Sequence, residues 1–377
     1  MAYFELQFKK VFKNTLTWLI LCIVLICAGF ILGYNALKGD QTTIRYQINQ
    51  DLSKQKQSQA NLPPIKNQNR NERQILKALD NENWDHAYEL MIRQNNRQAA
   101  QVKIGGADLR QEIKQKNARL HALKKANLPE QNEQHPKQGW LFLFKLSEGF
   151  LPAMIIVMLC FILSNIFASK YVDHLNRAVL LPNKHSLTLD ITFGLLIAFL
   201  LTLFICLLIW GFCSLLFGSG SLSYPIQGVI LPGMLKNTYQ PLSVWLKPAL
   251  ALSTLACIFI VLLVQLLAQI TRNQLSCLFL ALFILLGGAI LPFILQSTSA
   301  IGGTAKTVVV QYIPMTYLLS TQVATGHLAV KFNNPQLHFA FGFRVLIVSI
   351  VMLTILNFSW PWLSRQMKKL GKNSQIN

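Results

Sequence analysis

Six stretches of this sequence are long and apolar enough to cross a membrane, which constrains the fold more than any other feature. A helix needs about 20 apolar residues to span about 30 Å of hydrocarbon. The first stretch runs from Leu16 to Tyr34 and the second from Phe150 to Ala168. The third, Ile191 to Phe217, is uncharged and long enough to tilt, or to break near Gly211. The fourth, Pro248 to Ile270, and the fifth, Leu275 to Leu295, are separated only by Thr271 to Gln274, which predicts a tight helical hairpin. The sixth is Val345 to Leu363. The expected fold class is an all-α polytopic membrane protein of six transmembrane helices. A large, mainly helical extracytoplasmic loop lies between helices 1 and 2.

Charge excludes a soluble enzyme. Only 13% of the residues are charged, about half of the usual ~25%, so the chain lacks the polar groups to cover a globular surface. Lys and Arg outnumber Asp and Glu by 35 to 15. A basic balance points to nucleic acid or to a membrane protein with basic inner loops, and position decides for the membrane. No acid follows Asp190, so the last 187 of the 377 residues carry none.

Short flanks set the orientation. A cytoplasmic N-terminus puts Lys9, Lys10, Lys13, Lys170, Arg177, Lys184, Arg272, Arg365, Lys368, Lys369 and Lys372 inside. Both termini are then cytoplasmic, and the first stretch is read as an uncleaved signal anchor, its apolar run being too long for an h-region. The expected organisation is an amphipathic interface helix (1–14), a first span (15–35), an extracytoplasmic helical domain (36–140), a five-helix membrane core (145–363) and a basic cytoplasmic tail (364–377). In Tyr3–Asn14, the residues Phe4, Phe8, Val11 and Phe12 recur at helical spacing beside lysines, the pattern of a helix lying at a membrane surface.

Residues 36–140 carry 18 basic and 11 acidic residues and 28 Gln and Asn. Large apolar residues are too sparse to predict a substantial independent core. Helical periodicity survives in Ile75, Leu76, Leu79, Tyr88, Met91 and Ile92, and in Leu109, Ile113, Leu120 and Leu123. Glu89 with Arg93 and Glu112 with Lys116 are helix-supporting pairs. Gly105-Gly106 reads as a turn, and Asn61–Pro64 and Pro129–Pro136 as linkers. A solvated helical hairpin is expected here, or a cap that binds substrate or partner.

No catalytic, cofactor-binding or metal-binding constellation is expected. All seven cysteines fall in the apolar stretches, where they read as small core residues rather than disulfides or metal ligands. Gly302–Thr307 echoes a phosphate loop but lacks the glycine before the lysine. The spans carry no ionisable residue near their centres, where ion-coupled carriers place one. Gln265, Gln269 and Asn357 are expected to be interhelical glue.

One inner loop remains, Ser169–Leu187. Asp173 and Arg177 are four apart and predict a short helix, edged by Leu180 and Leu181 and ended by Pro182. Such a helix can dock in a groove on a partner protein.

An amphipathic N-terminal helix, one span, a large outer domain and five more spans together resemble the permease subunits of bacterial ABC-2 (type-2) exporters. The Ser169–Leu187 loop is similar to the family's coupling segment, in which an acid, an apolar run, Leu-Pro and a basic residue follow in order. Here these are Asp173, Leu180-Leu181-Pro182 and Lys184, with Leu175-Asn176 where the family often has Gly-Thr. Tyr312–Gly326 is similar to the stretch that precedes the last helix, a short outer-leaflet element marked here by Pro314, Thr316 and Tyr317. Phe217–Pro225 resembles outer loops of Gram-positive members.

The resemblance implies a chain in the bacterial cell membrane that is not itself an enzyme. Its partners would be a second permease chain, identical or different, a cytoplasmic ABC ATPase and membrane lipids, with no nucleic acid. ATP and Mg would be bound by the ATPase and no cofactor by this chain. The coupling loop (Asp173, Arg177, Leu181, Pro182, Lys184) and the interface helix (Phe4, Phe8, Phe12) would carry the ATPase's motion to the spans. The alternatives are a membrane-anchored sensor or structural protein, or an FtsX/MacB-like mechanotransmitter, acting through residues 36–140.

Overall fold

A computed structural model describes residues 2–39, 43, 45–46, 48–50, 52–53, 66–101, 107–172, 175–176, 186–230, 236–299 and 309–373. In chain order the elements are α1 (Ala2–Lys13), α2 (Thr15–Gly39), α3 (Lys66–Asp80), α4 (Trp84–Gln101), α5 (Ala107–Ala126), α6 (Gly139–Ser147) and α7 (Phe150–Ala168). Then come β1 (Tyr171–Val172), β2 (Leu175–Asn176), α8 (Ser186–Phe217), β3 (Pro225–Ile230) and β4 (Lys236–Pro241). Next are α9 (Leu242–Thr271), α10 (Gln274–Ser299), a 3-10 turn (Pro314–Leu318), α11 (Ser320–Ala324), α12 (His327–Lys331) and α13 (Phe339–Asn373).

Six of these helices are long and apolar enough to cross a membrane: α2, α7, α8, α9, α10 and α13. The chain is a mainly helical, multi-pass membrane protein. Its third span runs unbroken through Gly211. The chain divides into two compact units.

The first unit comprises residues 1–27, 146–208 and 247–377. Its centre is α9: 67% of that apolar span is buried, against 17% for α13. On the exposed faces, Phe283, Ile355 and Trp362 point outward, as lipid-facing side chains do. Polar residues cap the starts of two of the spans. Asn14 Oδ1 accepts from the Leu16 N–H at 3.0 Å. In the expected hairpin, Arg272 takes a left-handed turn (φ 50°), and Asn273 Oδ1 accepts from the N–H groups of Leu275 and Ser276 at 2.9 and 3.2 Å.

The second unit comprises residues 28–145 and 209–246, and it has the core that the sparse apolar composition argued against. In α3 to α5, Ile75, Leu79, Tyr88, Met91, Leu120 and Leu123 are buried together. The missing apolar surface comes from further along the chain, as Tyr224, Ile226, Leu242 and Trp245 join the same cluster. Leu109 is exposed. β3 and β4 form an antiparallel hairpin pairing Pro225 with Pro241 and Ile230 with Lys236. Gly228 lies flat against the Trp245 indole, which a Cβ there would overlap.

The stretch read as a linker at Pro129–Pro136 is instead tied down. Arg119 pairs with Glu130 (3.2 Å) and Glu133 (2.9 Å) and donates to the Gln131 carbonyl at 2.9 Å. The Tyr224 hydroxyl donates to that same carbonyl at 3.1 Å. Burial opposes the Arg119 charge, but the two carboxylates outweigh it and hold the guanidinium above its ordinary range. The pairs Glu89–Arg93 and Glu112–Lys116 form on the surface at 2.5 and 2.8 Å. Gly105-Gly106 and Asn61–Pro64 lie outside the described residues.

Candidate functional site

The candidate site is the end of the first unit where α1, the end of α7, the start of α8 and the α9–α10 turn meet. α1 is amphipathic, and its phenylalanines seat it. Phe4 and Phe8 meet Phe193 of α8 edge to face, with ring centroids 5.6 and 5.2 Å apart. Phe8 stacks on Phe12 at 6.0 Å, and Val11 is fully buried. The Trp18 indole N–H donates to the Phe12 carbonyl at 2.8 Å, holding the corner between α1 and α2. All three interface-helix phenylalanines are thus part of one aromatic contact, and Phe193 is its unforeseen other half.

Three residues before Phe193 stands Asp190, the last acid of the chain. It is 4% exposed and forms an ion pair with Lys170, just beyond α7. An ion pair removed from water persists only when both charges are matched. This one fastens the end of one span to the start of the next. Tyr171 adjoins it. Burial pushes its hydroxyl up to about 12, with Arg272 of the α9–α10 turn pulling it down and Asp190 pushing it up. The basic flanks of three spans therefore gather at one end.

Between Lys170 and Asp190 lies the loop singled out by its sequence. In place of the expected short helix, Tyr171–Val172 pairs antiparallel with Leu175–Asn176. Aromatic and β-branched residues favour a strand at Tyr171–Val172. Asp173, Arg177, Leu181, Pro182 and Lys184 lie outside the described residues, as does Gly302–Thr307.

The stretch Tyr312–Gly326 forms short, non-spanning elements. Pro314 opens the 3-10 turn, where its missing N–H costs nothing. The Thr316 hydroxyl donates to the Val310 carbonyl at 3.2 Å, and the Tyr317 hydroxyl to the Gln311 carbonyl at 2.6 Å. Burial raises the Tyr317 hydroxyl above its ordinary value. Gly342 of α13 passes so close to the Tyr317 ring that a Cβ there would overlap it. Ser147 and Thr321 share a hydrogen bond of 2.7 Å, and the Gln322 amide donates to the Glu148 carbonyl at 2.5 Å. Pro314, Thr316 and Tyr317 therefore build one folded knot anchored at the start of α7. They do not join the α1 end.

Within the bundle, the Gln269 amide donates to Asn357 Oδ1 at 2.9 Å. Asn357 in turn donates to the Leu262 and Leu353 carbonyls, both at 2.9 Å. This is the expected glue between α9 and α13. Gln265, one turn away, is fully buried, with no hydrogen-bond partner for its amide among the described residues. The sequence signal for the Lys170–Asp190 pair was present but unused: a lone acid opens one span, and a lysine closes the span before it.

No protein-family model, no curated protein and no solved structure matches the chain.

Proposed function

We propose that this chain is the membrane-spanning permease subunit of an ATP-binding cassette exporter in a bacterial cell membrane, with both termini in the cytoplasm. Two permease chains pack together and form the pathway between them, and a separate cytoplasmic ATPase drives them. ATP and Mg belong to that ATPase, and this chain performs no chemistry of its own.

One observation carries the proposal. The loop from Asp173 to Lys184 is joined to Lys170 on one side and Asp190 on the other, and those two residues form a buried ion pair. Force applied to the loop therefore reaches α7 and α8 together rather than one after the other. α1 lies against the same stretch of α8 through Phe193, so loop and interface helix act on one element. Small movements at such a packed junction shift whole helices, because close-packed contacts change in steps. The resemblance of this loop to a coupling segment, and of Tyr312–Gly326 to an outer-leaflet element, points the same way.

Affinity purification of the chain from its native membranes tests the proposal. An ABC ATPase should co-purify, and purification that yields none contradicts it. Asp173→Arg should then lower ATPase stimulation while leaving the amount of folded protein unchanged.

A second reading has its own observation. Residues 28–145 and 209–246 form a compact unit with a buried aromatic core, as a sensor or an FtsX/MacB-like mechanotransmitter acting through that region would need. Deleting residues 40–135 separates the two. Stimulation that survives deletion puts the work in the spans. Stimulation lost from an intact assembly with the ATPase favours the second reading.

A further inference from the structure

An apolar groove of about 390 Å³ runs between the α1–α2 corner and the middle of α8, within the ~300–1,000 Å³ of ligand-holding clefts. Leu21 and Leu201 are its buried floor, while Trp18, Leu203, Phe204 and Leu207 form exposed walls. Thr17 is its one polar lining residue. The walls are held apart by built contacts: Trp18 is hydrogen-bonded to the Phe12 carbonyl, and Asn14 caps α2.

The chain is cationic beside the groove. Phe12 lines the groove, and the next residue, Lys13, is exposed. α1 carries three lysines against one glutamate, and that glutamate, Glu5, is paired with Lys9 at 2.6 Å. A second copy of the chain has few anions to supply. Outside residues 36–140 the acids are only Glu5, Glu148, Asp173 and Asp190; Glu5 and Asp190 are in ion pairs, Glu148 lies 3.8 Å from His327, and Asp173 lies outside the described residues. An occupant that is apolar along its length and anionic at one end satisfies both the groove and the charge beside it.

We infer that this groove binds one acyl chain of an anionic phospholipid whose phosphodiester headgroup is held by Lys13. The lipid wedges α1 against α8 and so sets the seating of the interface helix. The inference does not depend on an ATPase partner.

The test places the full chain in nanodiscs of phosphatidylcholine containing a minor share of phosphatidylglycerol, with bromine on the acyl chains of one lipid at a time. Trp18 emission is the difference between the native chain and Trp18→Phe. Brominated phosphatidylglycerol should quench Trp18 about fivefold better than brominated phosphatidylcholine at equal mole fraction. Lys13→Gln, an exposed change that leaves folding intact, should abolish that preference. As a second measurement without Trp18→Phe, native mass spectrometry should find phosphatidylglycerol retained by the native chain and lost from Lys13→Gln. Equal quenching by both lipids, or a preference that survives Lys13→Gln, overturns the inference. No quenching by either lipid also overturns it, since protein then covers the groove.

Discussion

Asp190 and Arg119 are each the pivot of an ion network, one in each unit of the chain, and they are held in different ways. Asp190 is deeply buried beside apolar helices and pairs with Lys170. Arg119 is only partly buried and faces two carboxylates and a carbonyl. In the first unit, apolar packing comes from the spans themselves, and one ion pair fixes where two of them meet. In the second, α3 to α5 share a buried apolar core, and cross-links among Arg119, Glu130, Glu133 and Tyr224 tie the Pro129–Pro136 stretch to it. A membrane span cannot adopt the second solution, because a charge without a matched partner is too costly there.

The sharpest way to break that contrast is Asp190→Ala, which strands Lys170. It should cost about 3–5 kcal/mol, read as a lowered melting temperature in detergent. Replacing both partners with Leu and Met should restore most of the loss, which a simple packing defect would not allow. Arg119→Met is the matching change in the second unit. It should cost less, about 1.5–3 kcal/mol, because Glu130 and Glu133 keep some access to water. Hydrogen exchange should place that loss in residues 107–145 and leave α7 to α10 protected.

Alkaline pH tests the second unit in another way. Burial raises the hydroxyls of Tyr88, Tyr224 and Tyr239, the last to about 12. A group whose pKa is raised on folding stabilises fully below its unfolded value, near 10, and loses that contribution as pH rises through the folded value. Protection in the second unit should therefore fall between about pH 10 and 12. The smallest effect is expected from Asn357→Leu, which removes two α9–α13 hydrogen bonds. Interhelical hydrogen bonds in membranes average about 0.6 kcal/mol, so a shift in melting temperature large enough to rival Asp190→Ala would show that Asn357 does more than join helices.

Sequence was a good guide to the first unit because the bilayer leaves few choices. All six expected spans are helices, and the tight hairpin expected from the short gap between the fourth and fifth spans turns at Arg272-Asn273. The second unit was legible only in its local periodicity. Tyr88, Met91 and Leu123 fall on the expected faces, but the core they enter depends on Tyr224 and Trp245, more than a hundred residues later. No window of helical length registers that partnership. The β3–β4 hairpin was hidden for the same reason: its strands pack on helices far away in sequence. In the candidate site, Phe4, Phe8 and Phe12 were visible as a stripe, whereas Phe193 looked like one more apolar residue in a span. Asp173–Lys184 was marked by composition, and the described part of its expected helix, Leu175-Asn176, is instead a strand paired with Tyr171–Val172, a pairing that helical spacing within the loop does not register.

Under the proposed function, the Asp173–Lys184 loop is the contact through which a cytoplasmic ATPase moves the spans. The most direct measurement is site-specific photocrosslinking in native membranes from positions 173 and 184, with position 95 in the second unit as the control. The account predicts an adduct with an ABC ATPase from the loop positions and none from the control. Loop positions that crosslink only to lipid or to unrelated proteins would contradict it.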